Sequence, residues 1–256
     1  MKIVSKEQMS QLEEQSASVG ITNDVLMERA GLSAAKKLRT YVERLAGLNV
    51  AVIIGPGSNG GDGLVLARYI HRWGGNVIAY FTSPRKPGDP QLNKLRKYGV
   101  SVIYASDDPH LSTLENILEN SKVVVDAVFG TGYSRPLDGR FLEVVKRLEN
   151  MKYADSDTLL ISLDMPSGMN ADTGEIDTVC PYADLTISFG FAKRGHFLFP
   201  GAERTGQLSI VDIGIPDEFS IGINVNLLNR NYVEGMMPTR HQNVHKGSFD
   251  ALKPAC

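Results

Sequence analysis

Five side chains in this sequence offer oxygen atoms from short loops: Asn59, Asp62, Asp126, Asp164 and Ser167. Oxygen donors of this kind hold hard cations or handle protons. They fall in three segments, each following a short apolar run. The first is Gly55-Pro56-Gly57-Ser58-Asn59-Gly60-Gly61-Asp62-Gly63. Its crowded glycines make a tight turn or let backbone N–H groups come close to a ligand. Gly55, Gly57 and Gly60 spell the dinucleotide fingerprint G-x-G-x-x-G. The acidic residue expected to hold the ribose about twenty positions on is missing, because the next run ends Ala79-Tyr80-Phe81-Thr82-Ser83. Arg85 and Lys86 follow and suit either a phosphate or a solvated surface. The second segment places Asp126 at the end of a run, to face a cleft or cap a turn, before Gly130-Thr131-Gly132-Tyr133-Ser134-Arg135-Pro136. Gly130–Gly132 is a further source of backbone donors, and Arg135 can pair with a phosphate. The third is Asp164-Met165-Pro166-Ser167-Gly168, where Asp164 ends its run and Ser167 offers a hydroxyl. It is not a Gly-x-Ser-x-Gly elbow, and no Ser–His partnership is evident, with His71 inside a helical stretch and His196 in a later loop.

Such residues need a frame. β-branched runs recur at Asn49–Ile54, Asn76–Phe81, Val100–Tyr104, Lys122–Ala127, Thr158–Leu163, Leu185–Phe189 and Gln207–Val211. Between them lie helical stretches near Gly63–Trp73, Asp89–Tyr98, Leu111–Asn120 and Arg140–Asn150. Strand–helix repetition predicts an α/β fold, a mostly parallel sheet with both faces covered. In such sheets ligands bind beyond the carboxyl ends of the strands, where the three segments fall. The first fifty residues read as helical. Ser5 caps a helix with Met9, Leu12 and Gln15. Thr22, Asn23 or Asp24 opens a longer one through Leu26, Ala30, Ala34, Leu38, Val42 and Leu45. Its apolar face is core or a dimer surface.

Composition narrows the classes. The 256 residues carry 27 basic and 29 acidic side chains, net −2, with no basic stripe, which argues against nucleic acid as a partner. No run is long and apolar enough to predict a membrane span, and residues 1–8 lack the apolar core of a signal peptide. The two cysteines, Cys180 and Cys256, exclude a disulfide framework and a cysteine zinc site, so a cytoplasmic location is expected. Residues 238–247 are polar and without periodicity, like a linker.

Five motifs in order carry a resemblance: Leu26-Met27-Glu28-Arg29-Ala30-Gly31, Asn59-Gly60-Gly61-Asp62-Gly63, Val125–Gly132, Asp164–Gly168 and Asp212-Ile213-Gly214-Ile215-Pro216. They resemble the YjeF N-terminal domain family of NAD(P)H-hydrate (NAD(P)HX) epimerases over roughly residues 1–235. The resemblance implies a Rossmann-like three-layer α/β/α sandwich with N-terminal helices, forming a homodimer. It implies an isomerase that interconverts the R and S forms of NADHX or NADPHX, so that a separate ADP- or ATP-dependent dehydratase can repair the cofactor. It implies one potassium ion per subunit, held by Asn59, Asp126 and Ser167. The dinucleotide would lie along Ser58, Asn59, Gly60, Gly61 and Asp62 and along Gly130 to Pro136, with Asp164 at the reacting end. Asp164 is expected as the acid/base, with Lys193 assisting as an acid or holding phosphate. Arg240 and His245-Lys246-Gly247 resemble the junction to a dehydratase, making 236–256 a linker or that domain's truncated start.

Two other classes compete. A non-catalytic dimeric scaffold or nucleotide-binding module of the same fold would have no reason to keep Asp126 and Asp164 together. A nicotinamide-dependent oxidoreductase is weakened by the missing ribose acid.

Overall fold

A computed structural model describes residues 1–154, 157–228 and 230–237. The chain divides into two compact units: Lys2–Val225, and Met1 with the chain from Asn226 onward. In the smaller unit, the Leu227 N–H donates to the Met1 carbonyl at 2.8 Å, and residues Arg230–Met236 are helical. The junction motif at Arg240 and His245–Gly247 lies outside the described residues.

In the larger unit the chain runs β1 (Ile3–Val4), α1 (Lys6–Ser18), α2 (Asn23–Tyr41), β2 (Asn49–Ile54), α3 (Ser58–Arg72), β3 (Asn76–Phe81), α4 (Pro90–Lys97), β4 (Ser101–Tyr104) and α5 (Ser112–Glu119). It continues through β5 (Val123–Ala127), α6 (Gly139–Ala154), β6 (Leu159–Leu163), β7 (Leu185–Phe189), β8 (Ala192–Lys193), α7 (Gly201–Arg204) and β9 (Gln207–Val211). The main sheet has the order β4-β3-β2-β5-β6-β7-β9, and every pairing in it is parallel. Strand order reverses between β2 and β5, so the loops leaving their carboxyl ends part and open a crevice.

Strand alternation builds the layers. Val50, Val52 and Ile54 of β2 join the core made with α1 to α4, whereas Ala51 and Ile53 join the core made with α5 and α6. In β5, Val123, Val125 and Ala127 face the first core and Val124 the second. The result is a three-layer α/β/α sandwich, as expected. Among the described residues no helix is long and apolar enough to cross a membrane.

The first helix starts as the sequence predicts. Ser5 Oγ accepts from the Gln8 N–H at 3.2 Å and Gln8 Oε1 accepts from the Ser5 N–H at 2.9 Å, a reciprocal cap. The long second helix stops at Tyr41, short of the predicted Leu45, which is buried beyond it. The principal correction concerns α3. It begins at Ser58, not near Gly63, so Asn59 to Asp62 form its first turn rather than a loop.

Two of the five motifs are packing devices. Gly31 lets α2 close on α3, because a methyl there would overlap Val65 and come within 2.7 Å of the Asp62 carbonyl. Glu28 accepts hydrogen bonds from Arg68 and from the Tyr69 hydroxyl, while Arg29 donates to the carbonyls of Ile213 and Gly214 at 3.4 and 3.3 Å.

Candidate active site

A cavity of about 350 Å³ opens where strand order reverses. The ends of β2, β5, β6 and β7 form its base, and Ser58, Asn59, Asp62, Gly130, Thr131, Gly132, Asp164 and Lys193 are among its lining residues. Eight of the expected residues are thus brought together. Gly60 and Gly61 do not line it: they are buried in the first turn of α3, against the Gly55 carbonyl and the Met27 side chain. Their missing side chains let that turn seat.

Asp164 and Lys193 form the ionic centre. Lys193 is fully buried and pairs through Nζ with Asp164 Oδ1. The same ammonium donates to Ser188 Oγ at 3.0 Å and to the Phe189 carbonyl at 3.1 Å, so all three of its protons are used. Asp164 Oδ2 accepts from the Thr131 N–H at 3.1 Å. Burial alone would raise the Asp164 carboxyl, but the Lys193 ammonium and the Thr131 N–H outweigh it and hold it below the usual range. Asp164 also has φ +64, a left-handed conformation that side chains seldom adopt. That backbone aims its carboxylate at Gly130, where an added methyl would lie 2.9 Å from Oδ2 and 3.3 Å from Asn59 Cγ.

Asp62, on α3, behaves oppositely. Burial, and then the nearby Asp164 and Glu13 carboxylates, push its carboxyl well above the usual range. The cavity therefore holds two carboxyls whose environments push them apart, Asp164 down and Asp62 up. That division is the mark of paired base and acid.

Asp126 lies deeper than the sequence predicts. It is fully buried and does not line the cavity. Ser167 Oγ donates to its Oδ1 at 2.6 Å, the Val128 N–H to Oδ1 at 3.2 Å, and the Ser167 N–H to Oδ2 at 2.8 Å. Burial pushes its pKa up, and these hydrogen bonds offset only part of the cost. Ser167 Oγ also accepts from the Phe129 N–H at 3.0 Å, tying the second and third segments together. Asn59 is buried with neither its carbonyl oxygen nor its amide nitrogen hydrogen-bonded. An unsatisfied buried amide is costly in an apolar setting, so this one is set for a ligand.

The Gly130–Pro136 segment splits. Gly132 reaches both the cavity and a neighbouring one of about 200 Å³ lined by Tyr133, Ser134, Arg135 and Pro136. Tyr133 turns its hydroxyl away, donating to Asp177 at 2.6 Å. Arg85 is neither solvated nor free for a phosphate. It donates to the carbonyls of Gly55 and Gly57 at 2.8 and 3.0 Å and pairs with Asp89 at 2.7 Å.

Three contributors lie outside the site residues expected from the sequence. His196 is buried; its Nδ1 accepts from the Lys193 N–H at 3.1 Å and its Nε2 lies 2.9 Å from the Asp164 carbonyl. Burial, and then the Lys193 charge, lower its pKa to about 4, so the ring is neutral at pH 7 and its proton is assigned to Nε2. Met9 and Glu13 of α1 line the cavity's other side. Among the described residues no three His, Cys, Asp or Glu side chains gather as a metal centre.

Residues 23–195 match the family described as YjeF-related protein N-terminus. The chain is 34% identical, over 97% of its length and 47% of the relative's, to the bifunctional NAD(P)H-hydrate repair enzyme Nnr of Thermofilum pendens. It is 32% identical to the NAD(P)H-hydrate epimerase of Elusimicrobium minutum, covering 85% of this chain and 98% of that one. The chain spans about half the length of the bifunctional relatives. The crystal structure of yeast YNL200c shares the fold at a TM-score of 0.75 and 24% identity, over 90% of this chain and 96% of that one.

Proposed function

The chain belongs to the family of YjeF-related N-terminal domains, and from that premise we propose that it is an NAD(P)H-hydrate epimerase, an isomerase acting on NADHX and NADPHX. One observation carries the chemistry: a buried Asp164–Lys193 pair facing a cavity at the sheet's switch point. The relatives' names supply the substrate class.

The hydrate is a hemiaminal, with hydroxyl and ring nitrogen on one carbon. Its inversion goes by one of two routes. In the first, the hydroxyl is protonated and leaves as water, and water returns to the other face with loss of a proton. In the second, the hydroxyl loses its proton, the carbon–nitrogen bond opens, and the ring recloses. Both routes move a proton to or from oxygen, and neither transfers a hydride. Asp164, ionised at neutral pH, takes the proton. Asp62, whose burial and carboxylate neighbours favour its protonated form, lines the same cavity and is the proposed donor that returns it. Lys193 keeps Asp164 charged and oriented, a role that leaves it no proton for a phosphate. The diphosphate is assigned to the unpaired N–H groups opening α3 at Ser58 and Asn59 and to the Gly130–Gly132 turn.

Asn59, Asp126 and Ser167 would hold a potassium ion. Two features support the fit: an Asn59 carbonyl oxygen without a partner, and a buried Asp126 carboxyl that no basic side chain among the described residues pairs with. When bound, the ion would supply positive charge beneath the cavity. Homodimerisation and coupling to an ADP- or ATP-dependent dehydratase belong to the same proposal. A cytoplasmic location is part of the same proposal, supported by the sparse cysteines.

The test is a coupled repair assay. (R)-NADHX is mixed with an S-specific dehydratase and its nucleotide, and the return of NADH absorbance is followed with and without this protein. Acceleration above spontaneous epimerisation is expected. Its absence, with folded protein and potassium present, would favour the scaffold reading.

A further inference from the structure

The matched family residues begin at position 23, yet the cavity is closed on one side by the segment before them. Strand β1 pairs in parallel with β8, setting Val4 opposite Lys193. The Lys6 N–H donates to Asp172 Oδ1 at 2.8 Å, and the Ser5 cap starts α1 immediately after. Leu12 and Ser16 anchor the helix in the core. Met9 and Glu13, one turn apart, then reach the cavity. The strand that holds Lys193 is thus the template that aims Glu13.

Glu13 has no hydrogen-bond or ion-pair partner among the described residues, whereas the facing Asp164 carries Lys193. It also lines a side pocket of about 90 Å³ with Ser58, Asp62 and Phe189, so it stands where the two spaces join. Glu13, Asp62 and Asp164 all line the larger cavity, and among its described lining residues Lys193 alone is basic. Such a wall repels phosphate and attracts neutral hydrogen-bond donors. Burial and the Asp164 charge push the Glu13 carboxyl up, as expected for a carboxylate lacking a donor.

We propose that Glu13 is a substrate-binding residue that accepts hydrogen bonds from hydroxyl or amide donors at the nicotinamide–ribose end of the dinucleotide. The assignment rests on the epimerase reading for the identity of the ligand. It also sets polarity: nicotinamide end beneath α1, phosphates toward the Gly130–Gly132 turn.

Calorimetry on the full chain tests this with two probes, reduced nicotinamide mononucleotide and ADP. Glu13→Ala should weaken the first by about tenfold and leave the second unchanged, with an unaltered melting midpoint. Glu13→Gln, which keeps an acceptor oxygen, should show a smaller loss for the mononucleotide alone. It decides the matter if the alanine variant does not fold. In turnover, KM for (R)-NADHX should rise more than kcat falls. Wild-type affinity of both variants for the mononucleotide would overturn the proposal. A selective binding loss in a protein that does not epimerise NADHX would uphold Glu13 and overturn the epimerase reading instead.

Discussion

One imidazole joins the main chains of the two residues whose side chains form the ionic centre. His196 donates from Nε2 to the Asp164 carbonyl at 2.9 Å and accepts at Nδ1 from the Lys193 N–H at 3.1 Å. The ring holds the left-handed Asp164 backbone in register with β8. It can do so only while neutral, since a protonated ring has no acceptor.

That requirement sets a pH dependence. The folded pKa of His196 is about 4 against an ordinary 6.5, so the unfolded chain takes up its proton first as pH falls. The contribution is intact above about pH 6.5 and is lost between there and about pH 4, amounting to about 3 kcal/mol. Replacement by Gln, which can keep the Nε2 donor, removes the titration. The unfolding free energies of wild type and His196→Gln, measured by urea denaturation at pH 7 and pH 4, should converge by about that amount. Parallel pH curves would refute the assignment.

Asp164→Asn is the cleanest removal of the base. Asparagine tolerates the left-handed backbone, so the change deletes charge without adding strain. Epimerase kcat should fall by about 10² to 10⁴-fold, with dinucleotide affinity retained. Full activity would eliminate Asp164 as the acid/base.

Asp126 carries the potassium prediction. In wild type the melting midpoint should be higher in potassium chloride than in lithium chloride of equal ionic strength. Asp126→Asn, close in shape, should abolish that difference. A difference that persists unchanged would place the ion elsewhere.

Arg85 distinguishes a strut from a phosphate clamp. Its guanidinium is spent on Gly55, Gly57 and Asp89. Arg85→Ala should therefore lower unfolding free energy by about 2 kcal/mol, because hydrogen bonds to a charged group are lost and Asp89 is left unpaired. Loss of ADP affinity with an unchanged melting midpoint would show instead that Arg85 holds phosphate.

The sheet was legible because its strands are short β-branched runs, and a parallel strand buried on both faces has little freedom to be anything else. All seven runs became strands with ends shifted by no more than one residue. The start of α3 was hidden by glycine, which disfavours helix on propensity. Close packing at Gly60 and Gly61 overrides that preference. Ser58, Asn59, Asp62, Gly130–Gly132, Asp164 and Lys193 all reach one cavity, as their positions after strands implied. Asp126 was read as facing a cleft or capping a turn; its side chain turns inward to Ser167 and accepts from the Val128 N–H, as the second reading has it. His196 belongs to no motif; its place three residues after Lys193 lets its Nδ1 accept from the Lys193 N–H. Glu13 belongs to no motif, although it stands four positions after buried Met9, where an inward side chain is expected.

The pairing of residues 3–4 with 192–193 has a consequence for the timing of assembly. A chain made from its amino end carries β1 and α1 without their partner strand until β8 has been synthesised. Two residue pairs give little reward for closing so large a loop, so this contact forms after the central sheet exists to present it. The cavity acquires Glu13 and Met9 in that last event. A nascent or partly opened molecule would keep most of its sheet and still lack one wall of the site, so loss of activity should precede loss of secondary structure on mild denaturation.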